Sequence, residues 1–142
     1  MLVILNILNR RSAQWLLVRQ DKIVAQVNFI LSTDQDKLLF TLDKLLKKNK
    51  ISLAKVKGLF LLVHETSLTQ IKLFTATINT LAWYHSLPVM ADWHYLGKIE
   101  DDLKKITASF KKVKKFKPLV VTYQRPPDIT ISKKRPKFTI HR

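Results

Sequence analysis

Three short apolar segments open the chain, Leu2 to Leu8, Ala13 to Arg19 and Lys22 to Ile30, separated only by Asn9-Arg10-Arg11-Ser12 and Gln20-Asp21. Runs of strand length joined by such brief polar links predict an antiparallel meander. Thr33 with Asp36 three residues on has the form of a capping box, and Leu38, Leu39, Leu42, Leu45 and Leu46 then recur at helical spacing. That helix is predicted to end near Asn49, in a lysine-rich turn that the negative end of a helix dipole favours. Val56 to Val63 is largely apolar, as in a strand covered on both faces. A helix from about Ser67 to His85 and a strand around Pro88 to Trp93 complete a β-β-β-α-β-α-β order. Gly97 to Ser109 predicts another helix and Leu119 to Tyr123 another strand. From Arg125 the Pro-Pro and Lys-Lys-Arg-Pro composition predicts an extended tail.

The helix over Ser67 to His85 has apolar residues on two faces. Leu68, Ile71, Thr75, Ile78 and Ala82 make one, and Leu73, Phe74, Thr77, Leu81 and Tyr84 make the other. A helix lying on a sheet needs only one stripe, so the second predicts either a roof formed by the 97–109 segment or a contact with another subunit. Phe40 points away from the leucine stripe of the first helix and extends the same patch. The candidate interface is therefore Phe40, Leu73, Phe74, Thr77, Leu81 and Tyr84.

With 142 residues, 46% of them hydrophobic, the chain is expected to bury one core without room for a second full domain. The lack of cysteine excludes disulfides and thiolate metal sites and suits a cytoplasmic protein. Leu2 to Leu8 is too short to span a bilayer or to form a signal peptide, so no membrane association is expected. Net charge is +16, unevenly placed: residues 1–103 carry 13 Lys and Arg against 9 Asp and Glu, and residues 104–142 carry 13 against 1. The division predicted is a globular part over residues 1–109 and a basic strand with an extended tail over 110–142. Lysine richness in the body is explained equally well by an AT-rich coding sequence. Clustered cations in the tail repel one another unless neutralised, which points to a polyanion or an acidic partner surface at Lys111, Lys112, Lys114, Lys115, Arg125, Lys133, Lys134 and Arg135.

No catalytic constellation stands out. His64-Glu65 begins like a zinc-protease motif, but Leu68 stands four residues after His64, where the second ligand belongs. His85, His94 and His141 are far apart, and Glu100, Asp101 and Asp102 fit the start of a helix better than a site. Thr66 or Ser67 either caps the following helix or, with its free amides, attracts an anion. Neither metal nor cofactor is expected, and nothing points to an enzyme.

The stretch from Gly58 to Ala91 resembles TsaB-type (YeaZ-like) subunits of the bacterial threonylcarbamoyladenosine tRNA-modification machinery, which carry Gly-Pro-Gly-Ser-Phe-Thr-Gly, then Leu-Arg-Ile-Gly and a helix ending in Ile-Pro-Leu-Val. Ser67, Thr69, Lys72, Ala76, Thr77, Leu81, Ala82 and Pro88 keep the pattern, whereas His64, Thr66 and Gln70 stand at the glycines. Leu38 to Leu46 resembles the family's leucine-rich helix, and Tyr123-Gln-Arg-Pro-Pro its Tyr-x-Arg ending. Asn6 stands where the family has an acid at the end of the first strand.

The resemblance implies an α/β, actin-like or ribonuclease-H-like half-domain with a truncated or missing second lobe. It also implies a non-catalytic partner that binds and stabilises a TsaD-type catalytic subunit, as a heterodimer through the paired helices. The same helices allow a homodimer, and the basic tail a contact with tRNA. The other reading is a free-standing basic RNA-binding module on the same scaffold.

Overall fold

The computed structural model describes residues 1–31 and 36–122. Strands β1 (Leu2–Ile7), β2 (Ser12–Arg19) and β3 (Lys22–Ile30) form the expected meander. Helix α1 (Asp36–Lys48) and a single 3-10 turn (Leu53–Lys55) lead into β4 (Gly58–Val63). Helix α2 (Leu68–Tyr84), β5 (Val89–Asp92) and α3 (Ile99–Phe110) follow. The five strands make one sheet in the order β3-β2-β1-β4-β5, antiparallel through β1, β2 and β3 and parallel from β1 to β4 and β5. Expected and observed elements agree to within about two residues at most ends, which is the ordinary uncertainty of a helix or strand boundary.

Local chemistry explains the turns. Gln20 and Asp21 both have positive φ, 49° and 61°, the pair of left-handed residues that a two-residue hairpin needs to match strand twist. Between β1 and β2 the Asn9 side chain accepts from the amides of Arg11 and Ser12 at 2.8 and 2.9 Å, forming an Asx turn. Both long helices end on a left-handed residue that is not glycine. Lys50 lets the Ile51 amide reach back to Leu46, and Ser86 lets the Leu87 amide reach Ala82.

Strand alternation sorts the core into two layers. On one face Val3, Leu5, Ile7, Trp15, Leu17, Leu59, Leu61 and Val63 meet Leu38, Leu42, Leu45 and Leu46 of α1 and Ile71, Phe74, Ile78 and Ala82 of α2. Trp15 Nε1 donates to the Leu38 carbonyl at 3.0 Å, satisfying the one polar atom of a fully buried indole. On the other face Leu2, Ile4, Leu16, Val18, Phe60 and Leu62 meet Tyr95 and the Ile99, Leu103 and Ile106 stripe of α3. The roof of residues 97–109 expected over α2 is therefore absent, because α3 is taken by the apolar residues of the opposite sheet face.

The strand expected over Leu119 to Tyr123 is also not formed as far as the chain is described. The Asn79 side chain on α2 donates to the Leu119 carbonyl at 3.1 Å and accepts from its amide at 2.7 Å, so a side-chain amide replaces the neighbouring strand. Phe116, Leu119 and Val121 pack against the α1 and α2 side of the core, so the chain crosses from one sheet face to the other after α3. The Thr33 capping box, the Tyr123 motif and the tail from Arg125 lie outside the described residues.

Candidate functional site

The candidate residues gather at two places, the carboxyl edge of β1 and β4 and the outer surface of α1 and α2. At the first, β-sheet register aligns Asn28 of β3, Gln14 of β2 and Asn6 of β1 in one row. Asn6 Nδ2 donates to Gln14 Oε1 at 2.8 Å, and Gln14 Nε2 donates to Asn28 Oδ1 at 3.0 Å. The amide ladder starts in the interior, with Asn6 only 2% exposed, and ends in solvent at Asn28. Asn6 Oδ1 has no hydrogen-bond partner among the described residues, a local cost of about 1–3 kcal/mol for a buried acceptor.

The turn beside it is closed by its own side chains. Ser67 Oγ accepts from the Gln70 amide at 3.2 Å and Gln70 Oε1 faces the Ser67 amide, a full capping box. Gln70 Nε2 also donates to the Arg10 carbonyl at 2.9 Å, tying the start of α2 to the β1-β2 turn. The Ser67 and Gln70 amides, which a bare helix start would leave free to meet an anion, are engaged internally. Of the two readings of Thr66 and Ser67, the geometry is that of the cap: Ser67 is the N-cap residue and Thr66 bonds Gln70.

His64 packs edge-on against Tyr95, ring centroids 4.8 Å apart. Burial lowers its imidazole pKa from the ordinary 6.5, and the Asp92 carboxylate opposes that shift in part. Tyr95 donates to Asp102 Oδ2 at 3.0 Å; burial and this bond push its phenol well above the usual range. Gly97 leaves room for this pair, because a Cβ there would collide with Asp102 and lie 3.1 Å from the Tyr95 hydroxyl, so a side chain at this position would displace them. Asp102 thus fastens the start of α3 to the loop after β5, and Glu100 and Asp101 complement the positive helix end. No group of three His, Asp or Glu side chains among the described residues is arranged to hold a metal.

The outer surface of α1 and α2 collects most of the candidate interface. Phe40 and Tyr84 are 65% and 75% exposed, and Leu73, Thr77 and Leu81 are half-buried. Leu39, Ala76, Thr77, Thr80 and Leu81 line a shallow groove between the helices. Phe74 is a correction: it is 1% exposed and packs in the sheet-facing core, because its position on the helix turns it inward beside Ile71 and Ile78. Leu39, expected in the buried stripe of α1, is 49% exposed because it turns toward α2 and away from the sheet, and exposed Trp83, beside Tyr84 on an apolar helix but absent from the expected interface, extends the same surface.

Among the cations, Lys111, Lys112, Lys114 and Lys115 are exposed directly after α3. Arg125, Lys133, Lys134 and Arg135 lie outside the described residues. No helix among those described is long and apolar enough to cross a membrane.

A five-stranded mixed sheet with two helices on one face and one on the other defines an α/β domain, and this domain has known likenesses. The chain is similar in fold to YeaZ from Pseudomonas aeruginosa, with a TM-score of 0.57 and 16% identity over 65% of this chain and 43% of that one. A second structure, described as an uncharacterized protein with similarity to peptidase YEAZ from Pseudomonas aeruginosa, matches with the same TM-score and identity over 65% of this chain and 42% of that one. The chain therefore spans less than half the length of these structures. No protein-family model and no curated protein matches the sequence.

Proposed function

We propose that this chain is a non-catalytic, TsaB-like partner subunit in tRNA threonylcarbamoyladenosine biosynthesis, built on an actin-like or ribonuclease-H-like half-domain. Its role is to bind and stabilise a TsaD-type catalytic subunit in the cytoplasm. The observation that carries this reading is the apolar surface of Phe40, Leu81 and Tyr84 across α1 and α2, on a fold like that of YeaZ. Large aromatic side chains at the centre of an otherwise polar surface are the usual anchors of a protein interface. The internally closed turn at Ser67 and Gln70, and an amide at position 6, support a scaffold role over phosphate chemistry. The same surface serves a homodimer equally well.

Co-expression with the TsaD-type subunit of the same host, followed by size-exclusion chromatography with light scattering, tests the reading. A stable heteromer is expected. A chain that stays monomeric beside that subunit while binding tRNA with a steep salt dependence establishes instead the free-standing RNA-binding module that the exposed lysines after α3 favour.

A further inference from the structure

At the opposite edge of the sheet from Asn6 and His64, a cavity of about 390 Å³ opens where β1 and β4 begin and where β2 and α3 end. Its size falls within the range of small-molecule sites. Leu2, Val18 and Phe110 give it an apolar floor. Gly58 makes room for that floor: a Cβ there would stand 2.7 Å from Phe110 Cδ1, so only glycine lets the ring lie over the start of β4, edge-on to Phe60 at 5.7 Å.

Three cations, Arg19, Lys57 and Lys111, line the same cavity, and no carboxylate among the described residues does. They come from three separate elements. The Lys57 amide donates to the Met1 carbonyl at 2.7 Å, which fixes the segment entering β4 beside the start of β1. Burial, then Lys57 and Arg19, lower the pKa of the Met1 amine, so positive charge is already crowded here. Complementing the negative end of α3 explains Lys111 at most. The last α3 carbonyls are also capped locally, since the amides of Lys111, Lys112 and Val113 bond to Ala108, Ser109 and Phe110.

Thr107 supplies the independent sign of a missing ligand. Thr75, Thr77 and Thr80 of α2 each return their hydroxyl to the carbonyl four residues earlier. Thr107 also lines the cavity, and its Oγ1 is buried behind the wall with no hydrogen-bond partner among the described residues. A buried hydroxyl without a partner is unfavourable, and a turn of the Thr107 side chain about χ1 would bring it out beside the three cations, where it can donate to an anion.

We infer that this cavity is a binding site for a small organic anion with an apolar body, its head group held by Arg19, Lys57, Lys111 and the Thr107 hydroxyl and its body on Phe110, Leu2 and Val18. Phosphate and carboxylate heads share this chemistry. Arginine donates to both in bidentate fashion.

The test uses the full chain, labelled with nitrogen-15, titrated separately with phenyl phosphate, phenylacetate and inorganic phosphate. At least one organic anion is expected to saturate at millimolar concentration or below, shifting the amides of Leu2, Val18, Thr107 and Phe110. Inorganic phosphate, lacking the body, should bind more weakly. Whichever organic anion binds tighter identifies the head group. Lys57→Gln and Thr107→Val, each checked for fold by circular dichroism, should weaken binding by roughly tenfold for the charge and less for the hydroxyl. Non-saturating shifts for both organic anions, shifts spread over Lys112 to Lys117 instead of the cavity, or unchanged affinity in both variants overturn the inference.

Discussion

The Asn79 side chain and the Leu119 backbone exchange two hydrogen bonds, 3.1 and 2.7 Å, across forty residues of sequence. An amide side chain mimics a peptide group here, offering one donor and one acceptor to a segment that would otherwise leave both unpaired. It also fixes the apolar residues Phe116, Leu119 and Val121 against the core. Replacing Asn79 by Ala is expected to cost about 1–3 kcal/mol, because both Leu119 groups lose their partner at a partly buried site. Amide exchange should accelerate at Leu119 while far-ultraviolet circular dichroism stays unchanged. Equal exchange in the variant means that packing alone holds the segment.

The apolar surface of α1 and α2 separates core from interface by exposure. Tyr84→Asp and Phe40→Asp replace residues that face solvent, and a folded protein by circular dichroism is expected from both. Leu81→Asp, at a half-buried position, is expected to remain folded with modest destabilisation. All three should abolish assembly with the proposed catalytic partner, since an unpaired carboxylate desolvated in an interface is strongly unfavourable. By contrast Phe74→Ala should lose about 3–5 kcal/mol of stability, as for other large core truncations. Normal assembly in all three aspartate variants removes this surface from the proposed interface.

Much of this arrangement was legible in the sequence. The meander, the order of the elements and the leucine stripe of α1 follow from local periodicity and turn chemistry. The second face of α2 was harder, because apolar spacing says that a residue is covered without saying by what. Thr77 and Leu81 line the groove and Leu73 is half-buried, yet Phe74, one position from Leu73, belongs to the core. Placement of α3 on the far face depends on which side of the sheet is still uncovered, a property no local window contains. The amide ladder left only a faint trace, Asn6 as the one polar residue of an otherwise apolar β1, because Asn28 lies among the exposed positions of β3 and looks like any surface residue. The cation-lined cavity left none, since Arg19, Lys57 and Lys111 are far apart in sequence.

Lys50 and Ser86 hold left-handed backbone at the ends of α1 and α2, with φ of 54° at each. Such residues are strained by their Cβ, and glycine is relieved of that strain at the expense of unfolded-state entropy. Lys50→Gly and Ser86→Gly are each expected to stabilise the protein by up to about 1 kcal/mol, read as a higher denaturant midpoint at constant slope. A lower midpoint in either means that the side chain contributes more than the strain costs.

His64 should make folding pH-dependent in the mildly acidic range. Burial lowers its pKa in the folded state below the ordinary 6.5, so the unfolded chain binds more protons as pH falls. The associated stability is present above pH 6.5 and is lost on acidification through the lower folded value. His64→Gln should flatten the change in melting temperature between about pH 7 and pH 5.5, a window above most carboxylate titration. An unaltered profile assigns that dependence to other groups.

Asn6 allows a sharper test of the carboxyl edge. A carboxylate in its place would face Gln14 Oε1, which is repulsive until Gln14 flips; Gln14 would then turn its oxygen to Asn28, which must flip in turn. Asn28 is exposed, so water absorbs that last exchange and the whole ladder can reverse. Desolvation remains, because the site is 2% exposed. Asn6→Asp is therefore expected to lose roughly 1–3 kcal/mol at pH 7, part of it recovered as the pH is lowered and the buried carboxyl takes up its proton. Adding Gln14→Leu removes the reversible partner, and the loss should then exceed the sum of the two single variants. Denaturant midpoints of the four proteins at pH 7 and pH 5 decide the matter. Strict additivity, or an Asn6→Asp protein as stable as the parent at both pH values, would show that the new carboxylate reaches solvent and that the ladder does not enclose position 6.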